Sequence, residues 1–272
     1  MIKIKRFDVG ITILVLTVLL GIIGPMLYGV DPFDFGNLRD MPSSWQHPLG
    51  TDSLGRDLLA QLMHGIRTSL YIGLIAATIA VVIGVILGGI SGYKRGLADE
   101  SLMSVTNIGL LLPSILLMVM IAAYLKVRSP LMVAIIIGVT SWPGIARGVR
   151  AQTLSLAERE HVYLSIMSAY RASRVLFEDI LANMAAYIFT SFIIHMSGAM
   201  LAEAGLSLIG AGPTMGTSLG LILFWAQTMY AISRGLWLWF VPPGAILVAL
   251  ASSLFIVASS LDEYFNPRLR SK

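Results

Sequence analysis

Serine flanked by glycine is the first chemistry this sequence offers. Gly216-Thr217-Ser218-Leu219-Gly220 has the G-x-S-x-G spacing of a nucleophile elbow, where a tight strand–turn–helix lifts a serine hydroxyl clear of its neighbours. Gly89-Ile90-Ser91-Gly92 has the G-x-S-G spacing of an intramembrane serine nucleophile, with His195 as a conceivable base. Chance matches to both are expected among 26 glycines. Thiol chemistry is excluded, because the chain has no cysteine. The four histidines, at 47, 64, 161 and 195, are scattered, so no metal site is expected. A P-loop needs Gly-Lys, and none of the five lysines (3, 5, 94, 126, 272) follows a glycine. Any ATP-driven step must therefore come from another polypeptide. Two ionisable groups, His195 and Glu203, fall inside an otherwise apolar run. A charge at a membrane-helix centre costs about 2.5–3.5 kcal/mol on insertion scales, so each should face protein or water. Glu203 reads as a pore or helix-interface group, and His195 as a neutral interhelical donor.

The elements that must carry these residues follow from composition. Of the 272 residues, 56% are hydrophobic and 12% charged, with mean hydropathy +0.81. Soluble domains carry about twice that share of charge. So much apolar surface must meet lipid or another membrane helix, which also removes the strand–turn–helix an elbow needs. The expected class is an all-α integral membrane protein. Charge-free runs mark the spans: Val9–Val30, Thr68–Tyr93, Ser101–Leu125, Ser129–Ala146, Ile180–Ala202 continuing past Glu203 to Ile209, and Gly235–Leu261. Each approaches or exceeds the roughly 20 residues a helix needs to cross the hydrocarbon layer. Leu219–Ile232 is too short and reads as a surface or re-entrant helix. Lys3, Lys5 and Arg6 before an apolar run imitate a signal peptide. The first alanine is Ala60, so an uncleaved first helix is expected.

Six spans put both termini on one side. That side collects thirteen of the 19 lysines and arginines and the other collects six, so the termini should be cytoplasmic. The chain then divides into a cytoplasmic N-terminus (1–8), a first transmembrane helix (9–30), an external segment (31–67), a five-helix core (68–261) and a cytoplasmic tail (262–272). Inside the core, 147–179 is the one large cytoplasmic excursion. Its Val162, Ile166 and Tyr170 form one helical stripe. Five basic and four acidic residues flank the stripe, which suits a protein partner better than a lipid surface. The overall charge of +4 reads by side of the membrane and predicts no nucleic-acid partner.

The external segment holds His47-Pro48-Leu49-Gly50-Thr51-Asp52-Ser53-Leu54-Gly55-Arg56-Asp57, followed by Gly65-Ile66-Arg67-Thr68-Ser69-Leu70. Further on come Ser141-Trp142-Pro143-Gly144-Ile145-Ala146-Arg147, Arg159-Glu160-His161-Val162, Leu201-Ala202-Glu203-Ala204-Gly205-Leu206-Ser207-Leu208-Ile209-Gly210 and Asp262-Glu263-Tyr264-Phe265-Asn266-Pro267-Arg268-Leu269-Arg270. At this spacing, over nearly the whole chain, the sequence resembles permease subunits of ATP-binding-cassette importers of the dipeptide/oligopeptide/nickel group.

The resemblance implies a type I importer permease with six transmembrane helices and a cytoplasmic coupling helix, in a prokaryotic inner membrane. It implies pairing with a second, homologous permease, two ATPase subunits that carry ATP and magnesium, and an external solute-binding protein. This chain itself would bind no cofactor and catalyse nothing. Coupling falls on Glu158, Arg159, Glu160, Val162, Ile166, Ala169 and Tyr170, and the external signature on Gly50, Asp52, Gly55, Arg56 and Asp57. The coupling pattern is worn: Leu164 and Ser165 replace an alanine pair, and Ala169 stands where glycine is usual, which suggests helical backbone there with no need of positive φ. Gly50, Asp52 and Gly55 read as a turn leading into a helix, with Asp52 as its cap and Arg56 and Asp57 in its first turns. Di- or oligopeptides are the favoured solute, with oligosaccharides or a nickel chelate as alternatives. An ion-coupled secondary transporter and an intramembrane serine protease are the rival classes.

Overall fold

The computed structural model describes residues 2–265, and all of them lie in helices or the turns between. The last part of the tail motif, from Asn266 onward, lies outside the described residues. The order is α1 (Ile2–Tyr28), α2 (Leu58–Lys94), α3 (Gly96–Leu111), α4 (Ser114–Ala123), α5 (Pro130–Ala157), α6 (Glu160–Met167), α7 (Ala172–Arg174), α8 (Ala185–Leu208), α9 (Leu219–Thr228) and α10 (Trp237–Phe265). A π-helical turn, Val175–Leu181, and a 3-10 turn, Ala182–Met184, join α7 to α8 into one run, Ala172–Leu208. Among the described residues, five runs are long and apolar enough to cross a membrane, and α3 with α4 makes a sixth if that bent pair is one span.

Four boundaries differ from the charge-gap reading. Hydropathy marks where lipid begins and not where hydrogen bonding begins, so α2 starts at Leu58, ten residues before the apolar run. At 37 residues it is about 55 Å long, more than a bilayer core needs. Its start is fixed by Asp57, whose carboxylate accepts from the Ala60 amide at 2.7 Å. Likewise α5 runs through Arg147 and Arg150 to Ala157. The third span, expected as one helix over Ser101–Leu125, breaks with an 84° bend at Leu112-Pro113. Pro113 has no N–H and pushes Leu112 into extended backbone (φ −83°, ψ 130°). The short apolar helix α9 ends at Thr228 rather than Ile232, and Tyr230 turns the chain away in the left-handed region (φ 56°).

Glycine lets these helices approach. Gly84, Gly88 and Gly92 recur every fourth residue along α2 and face α5. A Cβ on Gly84 would lie 2.6 Å from the Ile145 Cβ, one on Gly88 2.9 Å from the Val149 Cβ, and one on Gly92 2.8 Å from the Thr153 Cβ. α5 returns the contact through Gly138, whose Cβ would lie 2.7 Å from that of Ile79. Without a hydrophobic drive between helices in lipid, such close backbone approach supplies the dispersion that holds them. α1 is fastened the same way, with Gly21 against Ile66 on α2 and Gly10 against Ile256 on α10.

Candidate functional site

Neither serine motif is arranged for catalysis. Ser91 is buried and donates to Asp99, which also takes two bonds from Arg150 at 2.5 and 2.6 Å. Ser218 caps α9 and donates to Glu203. His195 bonds the Ser191 carbonyl of its own helix at 2.8 Å, so it is not the interhelical donor expected.

Three regions carry the residues singled out by the sequence. The first is α6 and its flanks. Glu158 follows α5 and pairs with Arg95 across 3.1 Å, both exposed, so the pair adds little stability. Arg159 precedes α6, and Glu160 opens it beside the positive end of its dipole. The expected stripe is split. Val162 is fully buried in the chain's own core with Leu156, Val175 and Ile180, whereas Ile166 and Tyr170 are exposed. Tyr163, Leu164 and Met167 are exposed too, so the outward face is more apolar than the stripe implied. The sequence hides this because both faces of α6 are apolar, and spacing alone cannot say which one the chain covers.

Ala169 overturns its expectation. Its φ is +56°, and α6 stops at Met167. The Tyr170 N–H donates to the Ser165 carbonyl (3.3 Å) and the Ala169 N–H to Ile166 (3.0 Å). This is a Schellman ending, whose left-handed position is usually glycine. The backbone needs positive φ here after all, because two orphan carbonyls at the helix end are closed only by that turn. Tyr170 sits just beyond, its ring 4.3 Å from the Arg174 guanidinium.

The second region is the external block. Asp52 is not the cap of α2; Asp57 is. Asp52 closes the turn before the helix, accepting from the Leu54 and Arg56 amides at 2.9 Å, from Arg56 Nε at 2.7 Å and from Gln61 at 3.1 Å, with no exposure of its own. Gly50 (φ 81°) and Gly55 (φ 83°) give the left-handed backbone, and a Cβ on either would collide with a carbonyl, of Met41 or of Asn37. Asp57, also fully buried, accepts from Tyr28 at 2.9 Å and from His47 Nδ1 at 2.7 Å, besides capping α2. The Arg56 guanidinium lies between the rings of Phe35 and Trp225. The pairing of Tyr28, His47 and Gln61 with the two aspartates is not legible in the sequence, since nothing in a linear pattern ties them together.

Beside this block, Arg234 bonds Asp40 at 2.5 Å. Burial raises the Asp40 carboxyl, but bonds from Ser53 and Arg234 outweigh that and leave it below the usual range.

The third region centres on Glu203. It has no exposure and sits where helices meet. Its carboxylate accepts from Ser218 at 2.6 Å and Ser207 at 2.7 Å, with Ser69 at a longer 3.4 Å. Ser69 in turn accepts from the Leu219 amide. One acid thus ties α2 and α8 to the first turn of α9, where the helix dipole favours negative charge. Gly220 allows the approach, since a Cβ there would lie 2.6 Å from the Ala204 Cα.

Residues 80–271 match the family described as "Binding-protein-dependent transport system inner membrane component". The chain is 33% identical over 269 residues to the oligopeptide transport system permease protein OppC of Bacillus subtilis, covering 98% of this chain and 87% of that one. It is 31% identical over 250 residues to the OppC protein of Mycobacterium tuberculosis H37Rv, covering 91% and 84%.

Proposed function

The chain belongs to the family of binding-protein-dependent transport system inner membrane components, the permease subunits of ATP-binding-cassette importers, and from that premise we propose that it forms half of a path for di- and oligopeptides. The names of its relatives support peptides as the solute, and nothing in the comparisons favours an oligosaccharide, a nickel chelate, an ion-coupled carrier or a protease. The second half of the path is a homologous permease. ATP and magnesium sit on two partner ATPases, solute is delivered by an external binding protein, and this chain binds no cofactor. Both termini and residues 147–179 are cytoplasmic, with 31–67 outside.

The observation that carries the coupling role is the exposed face of α6. A short helix is pinned to its own core by Val162 alone, while Tyr163, Leu164, Ile166 and Met167 face outward. Such a face needs a cover, and a partner's cleft supplies one. Nucleotide-driven movement of that partner then tilts α6 and, through the π-helical turn, α8. The external block fixes the outer end of α2 against the docking side.

The test is a reconstituted complex. Ala169→Trp, which adds bulk beside that face, should release the ATPase on purification or uncouple hydrolysis from uptake. Glu160→Lys should do the same more weakly. Full retention, hydrolysis and uptake in Ala169→Trp would make the segment a solvated connector. Orientation is tested by single cysteines at Ser44 and Ser155 in this cysteine-free chain. An impermeant thiol reagent added outside should label position 44 and not 155.

A further inference from the structure

A cavity of about 610 Å³ opens between α2, the α3–α4 break, α5 and α8. Its wall is largely small residues, among them Ala76, Ala80 and Gly198, and no Asp, Glu, Lys or Arg lines it. Two prolines line it, Pro113 at the break and Pro143 within α5. Proline has no N–H, so each leaves the carbonyl four residues earlier, Gly109 and Val139, without its helical donor. Gly109 itself lines the cavity. Freed backbone at membrane depth persists only where it is buried in protein or faces water. Leu112 and Ser114 at the break are exposed.

The side chains present the same polarity. His195 lines the cavity, and its Nδ1 contacts the Ser191 carbonyl at 2.8 Å. A carbonyl only accepts, so Nδ1 carries a proton, and in the neutral imidazole Nε2 is left as a lone-pair acceptor. Thr140 spends its hydroxyl proton on the Ile136 and Ile137 carbonyls (2.8 and 3.1 Å) and also keeps only lone pairs.

From this convergence we infer that the cavity is a water-filled solute site that holds its ligand through hydrogen-bond donors on the ligand, with His195 Nε2, the Thr140 hydroxyl oxygen and the Gly109 carbonyl as acceptors. The ligand class is a peptide, gripped by backbone N–H and α-ammonium groups. The inference rests on the peptide reading above. Neutral acceptors in an uncharged wall hold such groups without selecting side chains and without trapping them, as a path requires.

The experiment uses the complete complex in vesicles. Uptake of trialanine is compared with uptake of its analogue N-methylated at the peptide nitrogens, in the unaltered complex and in His195→Phe. Both complexes share one binding protein, so its selectivity cancels. His195→Phe should lower trialanine uptake about ten-fold, the scale of one lost hydrogen bond, and the analogue's by less than about two-fold. His195→Gln, which restores an acceptor, should recover most of the loss. Equal losses for both peptides, or none, would overturn the inference while leaving the peptide reading intact. Failure of the unaltered complex to take up any peptide would instead overturn that reading. In parallel, Ser114→Cys and Gly198→Cys should react with a small charged methanethiosulfonate, more slowly when trialanine is present, and Leu16→Cys on α1 should not. Unreactive thiols at both cavity positions would mean that the partner permease fills the space, and the site would be refuted.

Discussion

Ala169 offers a prediction with a calculable sign. It holds the left-handed position of the Schellman turn that ends α6, at φ +56°. An L-residue with a Cβ pays about 1–2 kcal/mol for that conformation. Ala169→Gly removes the penalty and returns about 0.5–1 kcal/mol through the greater freedom of glycine when the turn is open. The net is about 0.5–1 kcal/mol toward the closed turn, or about two- to five-fold in its open–closed equilibrium. Ala169→Val moves the other way, because a β-branched side chain is worse still at positive φ. The surroundings do not confuse the result: residue 169 is exposed, and its own N–H donates to the Ile166 carbonyl, beside the Tyr170–Ser165 bond that completes the turn. Hydrogen exchange of the Ala169 and Tyr170 amides in the purified complex reads the equilibrium directly. Exchange should slow about two- to five-fold in Ala169→Gly and quicken in Ala169→Val. Equal rates in all three proteins, or the reverse order, would show that the left-handed turn does not control the end of α6.

Three further outcomes follow from the other regions. Glu203→Leu removes the acceptor for Ser218 and Ser207 and leaves buried hydroxyls unsatisfied at about 1–3 kcal/mol each. The complex should lose thermal stability, and Glu203→Gln should lose less; equal melting of Glu203→Leu and the unaltered protein would refute the hub. Asp57→Ala loses a helix cap worth about 1 kcal/mol and also the bond from His47, while Tyr28 keeps the Gln46 carbonyl as acceptor, so it should destabilise more than a simple cap deletion, as read from a denaturation midpoint. The carboxyl of Asp40 is depressed, so its pairing with Arg234 contributes above the usual carboxylate range and fades as pH falls through the lowered value. Proteolysis of the external segment should therefore rise only in acid, and Asp40→Asn should abolish that dependence.

The sequence by itself determined the solvent and the class of this protein. Hydropathy is additive along a chain, so uncharged runs disclosed lipid-crossing segments before any contact was known. The turn through Gly50 and Gly55 was legible because turn chemistry is local, but which aspartate caps α2, Asp57 and not Asp52, was not. Tertiary structure decided what depends on distant neighbours or on backbone handedness. Glu203 meets Ser69 across 134 residues of chain, and no local pattern announces that partner. Pro113 breaks its span while Pro143 is absorbed in α5, although both are prolines in apolar runs. Val162 turns inward and Ile166 outward along one apparent stripe. In the spanning helices both faces are apolar, because lipid and protein interior are alike to a side chain, and α6, outside the spans, is apolar on both faces as well. Periodicity therefore loses the inside–outside contrast that it carries in water, and only packing can restore it.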